Sequence, residues 1–378
     1  MNSLEKLNTL GQSPWLDDLR RSLVEGGGLQ ALIDDGLRGL TSNPAIFEAA
    51  IAKTNDYDDA VRQLSQAGKS VEEIYRTLTV EDVQGAADLF RPLYDETGGA
   101  DGFVSYEVSP QLANDTDGTL QEARELWRTI DRPNVMIKVP ATHEGLPAFR
   151  QLIGEGINVN VTLIFGLPRY KLVAQAYIDG LNDRLDKGKS IAQVASVASF
   201  FLSRVDALID PKLEAIQKEG GERGERAGAL LGEVAVASAK MAYVAYQEMF
   251  GGDAFAELGA KGAQPQRLLW ASTSAKNPAY SEDKYVEPLI GDPTVNTMAH
   301  KTLDYYRESG NPVSTLEQGA KEADEALGTL ESLGISIDEA TEQLEQEGVE
   351  KFVTPFGSLM DTLAEAQRKA LAEDKAAT

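Results

Sequence analysis

Lys138 stands alone among apolar residues in the run Asn134-Val135-Met136-Ile137-Lys138-Val139-Pro140-Ala141-Thr142. A lysine in such a buried strand can snorkel to solvent, pair with a carboxylate, or stay desolvated with a depressed pKa. The third outcome makes a nucleophile. At an ordinary pKa of ~10.4 about one amine in two thousand is neutral at pH 7. Lowered to ~7–8 by burial, roughly a tenth to a half is neutral and can attack a carbonyl to form an imine. Polar residues recur at the ends of the other apolar runs: Asp17, Thr41 and Asn43, Glu107, Thr142, Asn160 and Thr162, Ser199, and Ser272 with Ser274. Two carboxylates, one lysine and several neutral hydrogen-bonders suit imine chemistry on a polyhydroxylated carbonyl compound. The lysine forms the imine, one carboxylate works through water as acid and base, and the second handles a substrate hydroxyl. The amides and hydroxyls orient the sugar. Singly, each has an ordinary structural reading: Asn43-Pro44 as a turn, Thr142 as a helix N-cap, Ser199 as a filler. Arg204 and Lys276 follow two of these ends, and two cations beside a cleft of an acidic protein point to an anion such as a sugar phosphate. The competing reading is a surface pair such as Arg204–Asp206.

The elements that must position these residues alternate. Strands are expected near Asp17 and over 36–44, 101–108, 134–142, 156–165, 194–201, 267–274 and 285–290, nearly all separated by helical periodicity. In the fifth, Asn158, Asn160 and Thr162 are expected on one face, with Val159, Val161 and Leu163 on the other. Helices are read over 119–129, 146–155, 168–187 and 227–250. Eight strand–helix repeats predict an α/β fold, a (β/α)8 TIM-type barrel with extra helices, whose C-terminal strand ends carry the chemistry. The whole chain, 1–378, reads as one barrel domain with a helical insertion at about 45–100 and a helical C-terminal extension at about 313–372. A charged tail, 373–378, is expected to fray. A doubly wound open sheet is the alternative, but no strand is followed by a glycine fingerprint opening a helix. Gly188-Lys189-Ser190 is not a P-loop, because position 183 is Asp183 where the first glycine belongs. His143 reads as a loop residue.

Composition narrows the classes. The chain has 378 residues, 42% of them hydrophobic, enough for a sizeable core. It has no Cys and two His, so thiolate metal sites, a cysteine nucleophile and multi-histidine sites lack material. The net charge of −24 argues against a nucleic-acid partner or an anionic membrane surface. Without an apolar run of spanning length or a signal-peptide layout, the expected address is the cytoplasm. Nothing in the residues specifies an oligomeric state.

Six stretches carry a resemblance: Trp15-Leu16-Asp17, Gly39-Leu40-Thr41-Ser42-Asn43-Pro44-Ala45-Ile46, Ser105-Tyr106-Glu107-Val108, Val135 to Thr142, Gly156 to Phe165, and Val197 to Asp206. In this order they resemble the transaldolase family, in its longer bacterial form, over essentially the whole chain. The resemblance implies a barrel enzyme of the pentose phosphate pathway that moves a dihydroxyacetone unit between sugar phosphates without metal or cofactor. It implies Lys138 as the Schiff-base residue and Glu107 as the acid/base acting through a water that Thr162 helps hold. Asp17 is implied as the carboxylate that moves the proton when the bond between the third and fourth carbons breaks. Asn43 and Asn160 match amides that bind donor hydroxyls, and Ser199 and Arg204 match phosphate or substrate contacts; Thr41, Thr142 and Phe201 complete the substrate set. Lys276 departs from the pattern, since the better-known form has arginine in Ala-Ser-x-Arg-Asn. A lysine holds phosphate as a point charge, without the bidentate fork. The related fructose 6-phosphate aldolases, which release dihydroxyacetone, carry tyrosine at the Phe201 position and glutamine at the Glu107 position. The sequence thus favours transfer over that lyase alternative, and both over a non-catalytic acidic binding barrel.

Overall fold

The computed structural model describes residues 1–377, with side chains described through 372; the expectation for the tail 373–378 lies outside those described side chains. Eight parallel strands close into a barrel in chain order: β1 (Gln12–Asp17), β2 (Gly39–Thr41), β3 (Phe103–Glu107), β4 (Val135–Pro140), β5 (Val159–Ile164), β6 (Ser196–Phe201), β7 (Arg267–Ala271) and β8 (Thr294–Met298). Helices cover the outside, so the strands are buried on both faces. β4, β5 and β6 accordingly contain no exposed residue.

The register explains how distant residues meet. Glu107 of β3 pairs with Lys138 of β4, and Lys138 with Asn160 of β5. Paired residues on adjacent strands project to the same side of a sheet, so this row faces one space. Asp17 of β1 pairs with Thr41 of β2, and Thr41 with Ser105 of β3. The β1–β2 approach depends on a missing side chain. A Cβ on Gly39 would lie 2.6 Å from the Trp15 ring and 2.8 Å from the Phe103 carbonyl. Neither the buried indole nor the strand backbone can give way, so Gly39→Ala is expected to destabilise the barrel by about 1–3 kcal/mol or more, through overpacking. A denaturant melt with an unchanged midpoint would contradict that tight contact.

Three sequence expectations need correction. The eighth strand is not 285–290, which holds a short 3-10 turn, Glu287–Leu289, with Pro288 inside. It is Thr294–Met298, whose Thr294, Asn296 and Thr297 are all buried. Their polarity hid the strand, because buried hydroxyls and amides imitate a turn in one dimension. In β5 the expected alternation fails at Leu163, where the backbone turns left-handed (φ 62°) and the β5–β6 register shifts between Val161 and Ile164. This bulge re-aims the strand end beside Thr162. The helix expected over 227–250 is broken, with separate helices Gly221–Gly228 and Val234–Phe250. Two further helices, Ser203–Glu219 and His300–Ser309, carry the chain away from β6 and β8. The helices Pro44–Ala52, Asp58–Gln66 and Val71–Glu96 follow β2, and the long Ile337–Ala377 helix packs against all three. Among the described residues, no helix is long and apolar enough to cross a membrane.

Candidate active site

At the C-terminal ends of the strands lies a cavity of about 150 Å³, lined by Asp17, Thr41, Asn43, Lys138, Thr162, Ser199, Phe201, Arg204 and Lys276, together with residues the sequence reading did not assign. Lys138 is 4% exposed. Its Nζ donates to the Ser42 carbonyl at 3.2 Å and sits 3.3 Å from Glu107 Oε2. Of the three outcomes open to a strand lysine, the structure shows a carboxylate partner, supplied by the neighbouring strand. The contact is one of charge rather than an aligned hydrogen bond, since Glu107 Oε2 has no hydrogen-bond partner among the described residues. Glu107 titrates above the usual glutamate range because burial penalises its carboxylate, an effect that Lys138 only partly offsets. Proton transfer from the ammonium to Glu107 would discharge both groups at once, which the burial of the two side chains favours.

Asp17 keeps one side open to the cavity and is otherwise enclosed. Thr41 Oγ1 donates to Asp17 Oδ1 at 2.8 Å. Because that uses Thr41's single hydroxyl proton, the 2.7 Å contact between Thr41 and Thr297 makes Thr297 the donor. Burial raises the Asp17 pKa first, against the opposing pull of Lys138, the Thr41 hydrogen bond and Lys276. Two carboxylates therefore flank the amine, both with titration shifted upward by desolvation, and such shifts cluster at reactive sites.

Glu107 and Asn160 do not line the cavity surface but flank Lys138 on the two neighbouring strands. Asn160 Nδ2 donates to Ser105 Oγ at 3.1 Å, and Ser199 Oγ donates to Asn160 Oδ1 at 2.7 Å, fixing the amide's orientation. Thr162 Oγ1 is buried with no partner among the described residues, as a hydroxyl kept for a substrate or water would be. Asn43 combines both of its sequence readings: it caps the helix Pro44–Ala52 by accepting from Ile46 N at 3.1 Å, and it lines the cavity. Thr142 is not brought to the site. Its hydroxyl donates to the Ala113 carbonyl and accepts from Gly145 N at 3.0 Å, a capping role that uses its only proton, and the residue does not line the cavity.

The rim is cationic. Neither Arg204 nor Lys276 forms an ion pair among the described residues, and Arg204 Nη1 is buried without a partner. The Arg204–Asp206 pair does not form, since Asp206 accepts instead from Ala235 N and Tyr285 Oη, both at 2.8 Å. Desolvation lowers the pKa of both cations, and Arg204 adds repulsion at Lys276. The Arg204 guanidinium lies over the Phe201 ring, 5.6 Å from its centroid, and Phe201 leans on Phe165 at 5.1 Å. Sequence reasoning missed Thr297, Thr273 and Phe352. Thr297 was hidden by the misplaced eighth strand, whereas Thr273 lies in the expected strand 267–274 between the two serines singled out there; it donates to the Thr297 carbonyl at 2.9 Å. Phe352 comes from the C-terminal helix, where the spacing of Phe352 and Phe356 by four residues marks only an apolar helix face. Ser272, at the end of β7, holds a left-handed conformation (φ 54°) and contacts Ser203 Oγ at 2.9 Å, so backbone strain also sits beside the cavity.

A lysine paired with a carboxylate at the C-terminal mouth of a closed parallel barrel, beside two cations with no ion pair among the described residues, is an arrangement suited to imine chemistry on an anionic carbonyl compound, and it narrows the class to barrel enzymes with such a site. Comparison with known proteins gives the particular family. A family model described as Transaldolase/Fructose-6-phosphate aldolase matches residues 14–363, and the chain belongs to that family. It is 46% identical over 375 residues to a Transaldolase of Trichodesmium erythraeum, covering 97% of this chain and 98% of that one. It is 46% identical over 369 residues to a Transaldolase of Saccharopolyspora erythraea, at 96% and 97% coverage. With Transaldolase 2 of Streptomyces coelicolor it shares 45% over 376 residues, 99% of each. A crystal structure of 2,3-dimethylmalate lyase aligns over 88% of this chain and 94% of its own with a TM-score of 0.28 and 11% identity, too low a likeness to carry an argument.

Proposed function

We propose that this chain is a transaldolase of the pentose phosphate pathway. It interconverts sedoheptulose 7-phosphate plus glyceraldehyde 3-phosphate with erythrose 4-phosphate plus fructose 6-phosphate. One observation carries the reading: the buried Lys138 amine, 3.3 Å from Glu107, opens on a cavity that also holds Asp17 and two cations without ion-pair partners among the described residues. Glu107 takes the proton from the Lys138 ammonium, and the neutral amine adds to the ketone carbon of the donor. Glu107 returns a proton as water leaves, acting through water beside Thr162, and the iminium forms. Asp17 then accepts the proton of the hydroxyl on the fourth carbon. The bond between the third and fourth carbons breaks, its electron pair moves into the iminium, and an aldehyde leaves. The enamine on Lys138 attacks the acceptor aldehyde, and the steps reverse. Thr41, Asn43, Asn160 and Ser199 orient the hydroxyls, with Thr142 supporting the loop only through its capping bonds. The protein acts on its sugar phosphates in the cytoplasm without a cofactor, as one barrel domain over 1–378 with the insertion at about 45–100 and the extension at about 313–372.

The deciding assay supplies fructose 6-phosphate with and without erythrose 4-phosphate. Steady glyceraldehyde 3-phosphate and sedoheptulose 7-phosphate are expected only when the acceptor is present. Rapid acceptor-independent release of dihydroxyacetone would move the chain to the aldolase side of its family, against Glu107 and the hydroxyl-free Phe201. Introducing that hydroxyl by Phe201→Tyr is expected to raise the acceptor-free rate.

Arg204 and Lys276 bind the substrate phosphate. Arg204→Ala is expected to raise KM for phosphorylated substrates by roughly ten- to a hundredfold, since a lost charge-assisted contact costs ~1.5–3 kcal/mol. Non-phosphorylated acceptors should change little, and equal losses for both kinds would exclude a phosphate role.

A further inference from the structure

The helix Ile337–Ala377 brings an apolar ring to a site otherwise built for polar substrates. Its seat on the barrel is specific. A Cβ on Gly348 would lie 3.1 Å from Leu163 and 3.3 Å from Phe165, so glycine permits close approach to the end of β5. One turn earlier, Glu345 accepts from Arg169 Nε and Nη2 at 2.9 and 3.1 Å. One turn later, Phe352 reaches the cavity, its ring centroid 5.7 Å from Lys138 Nζ and the residue 5% exposed. A further turn on, Phe356 packs edge-on against Tyr75 at 5.5 Å. Residues 345, 348, 352 and 356 follow helical spacing along one face. The ion pair, the glycine contact and the second aromatic fix the helix, and the fixed helix holds Phe352 over the amine.

We propose that Phe352 is a positioning residue that decides the fate of the three-carbon enamine, a proposal that rests on the transfer reading above. The enamine can form a carbon–carbon bond to an aldehyde. Alternatively, its carbon can take a proton from water; water then adds to the ketone carbon, the carbon–nitrogen bond breaks, and Lys138 and free dihydroxyacetone are regenerated. The second course needs water at the carbon and at the iminium. A buried ring at this distance excludes water from the Lys138 side of the cavity while the enamine waits for its acceptor. Phe352 donates no proton and binds no hydroxyl, so its effect is on partitioning rather than on either chemical step.

The test measures the ratio of free dihydroxyacetone to transferred product for the full chain and for Phe352→Leu, Phe352→Val and Phe352→Ala, with circular dichroism to confirm folding. The ratio is expected to rise in that order as the apolar cover shrinks, by roughly tenfold or more at alanine, with Phe352→Leu near the unmodified protein. Deuterium from solvent should appear in the released dihydroxyacetone in the same order. A flat ratio across the folded variants, or transfer and release falling together, overturns the proposal. Should alanine not fold, the leucine-to-valine step decides it alone. If the unmodified protein transfers normally while the ratio stays flat, only this inference fails; if it releases dihydroxyacetone rapidly by itself, the transfer reading fails first.

Discussion

Lys138→Met is expected to abolish turnover, with a loss on the order of 10⁵–10⁶ in kcat, because it removes the one cavity amine that sits beside a carboxylate able to take its proton, Lys276 standing at the rim beside Arg204 instead. Borohydride added with fructose 6-phosphate should attach a three-carbon unit to the peptide containing Lys138 in the unmodified protein and nothing in the variant. The fold should survive. Methionine keeps most of the lysine volume, and it removes an ammonium that is buried on a strand with no exposed residue. Glu107, already raised by desolvation, can take a proton and remain neutral, so no unpaired charge need be stranded. Label on another lysine, or residual turnover near the unmodified rate, would sink the assignment.

Asp17→Asn should stop the reaction one step later. The imine can still form through Lys138 and Glu107, but nothing accepts the proton from the hydroxyl on the fourth carbon. A loss of roughly 10²–10⁴ in kcat is expected, the range for removing a general base. Borohydride should now trap the intact six-carbon donor on Lys138 rather than the three-carbon fragment, and mass spectrometry separates the two. A three-carbon adduct formed at the normal rate would remove Asp17 from the cleavage step. The pH behaviour follows from the raised pKa. Proton acceptance requires the carboxylate, so activity of the unmodified protein falls as pH drops through a value above the ordinary 3.8, and Asp17→Asn keeps only the acid limb that Glu107 contributes. Stability runs the opposite way. The folded state binds this proton more tightly than the unfolded chain, so the Asp17 contribution to stability declines as pH rises from 3.8 through the folded pKa. Melting across that window should be flatter in Asp17→Asn.

From residue pattern alone the fold class is legible and Lys138 is singled out as the candidate nucleophile, because both rest on local pattern. Strand–helix alternation is a property of neighbouring residues, and Lys138 stands out within a single run of nine. Most strand ends were legible for the same reason: buried parallel strands read as apolar runs, and a polar residue closing one is conspicuous. β8 was not, since Thr294, Asn296 and Thr297 are buried polar residues, bonded inside the barrel through the two hydroxyls and Asn296 Nδ2, and give no hydrophobic signal. The bulge at Leu163 was likewise invisible, because a left-handed residue that is not glycine leaves no mark on composition. Only the tertiary structure decided which partner Lys138 would find. Its pairing with Glu107 is a matter of strand register across 31 residues of chain, and no local preference encodes register between strands. The same holds for Thr142, whose hydroxyl was claimed by the Ala113 carbonyl, and for Arg204, which lost its nearby Asp206 to Tyr285 and so keeps its charge for the cavity. Phe352 is the furthest case, 214 positions beyond Lys138, brought over the amine because a glycine one turn earlier lets a helix settle against β5.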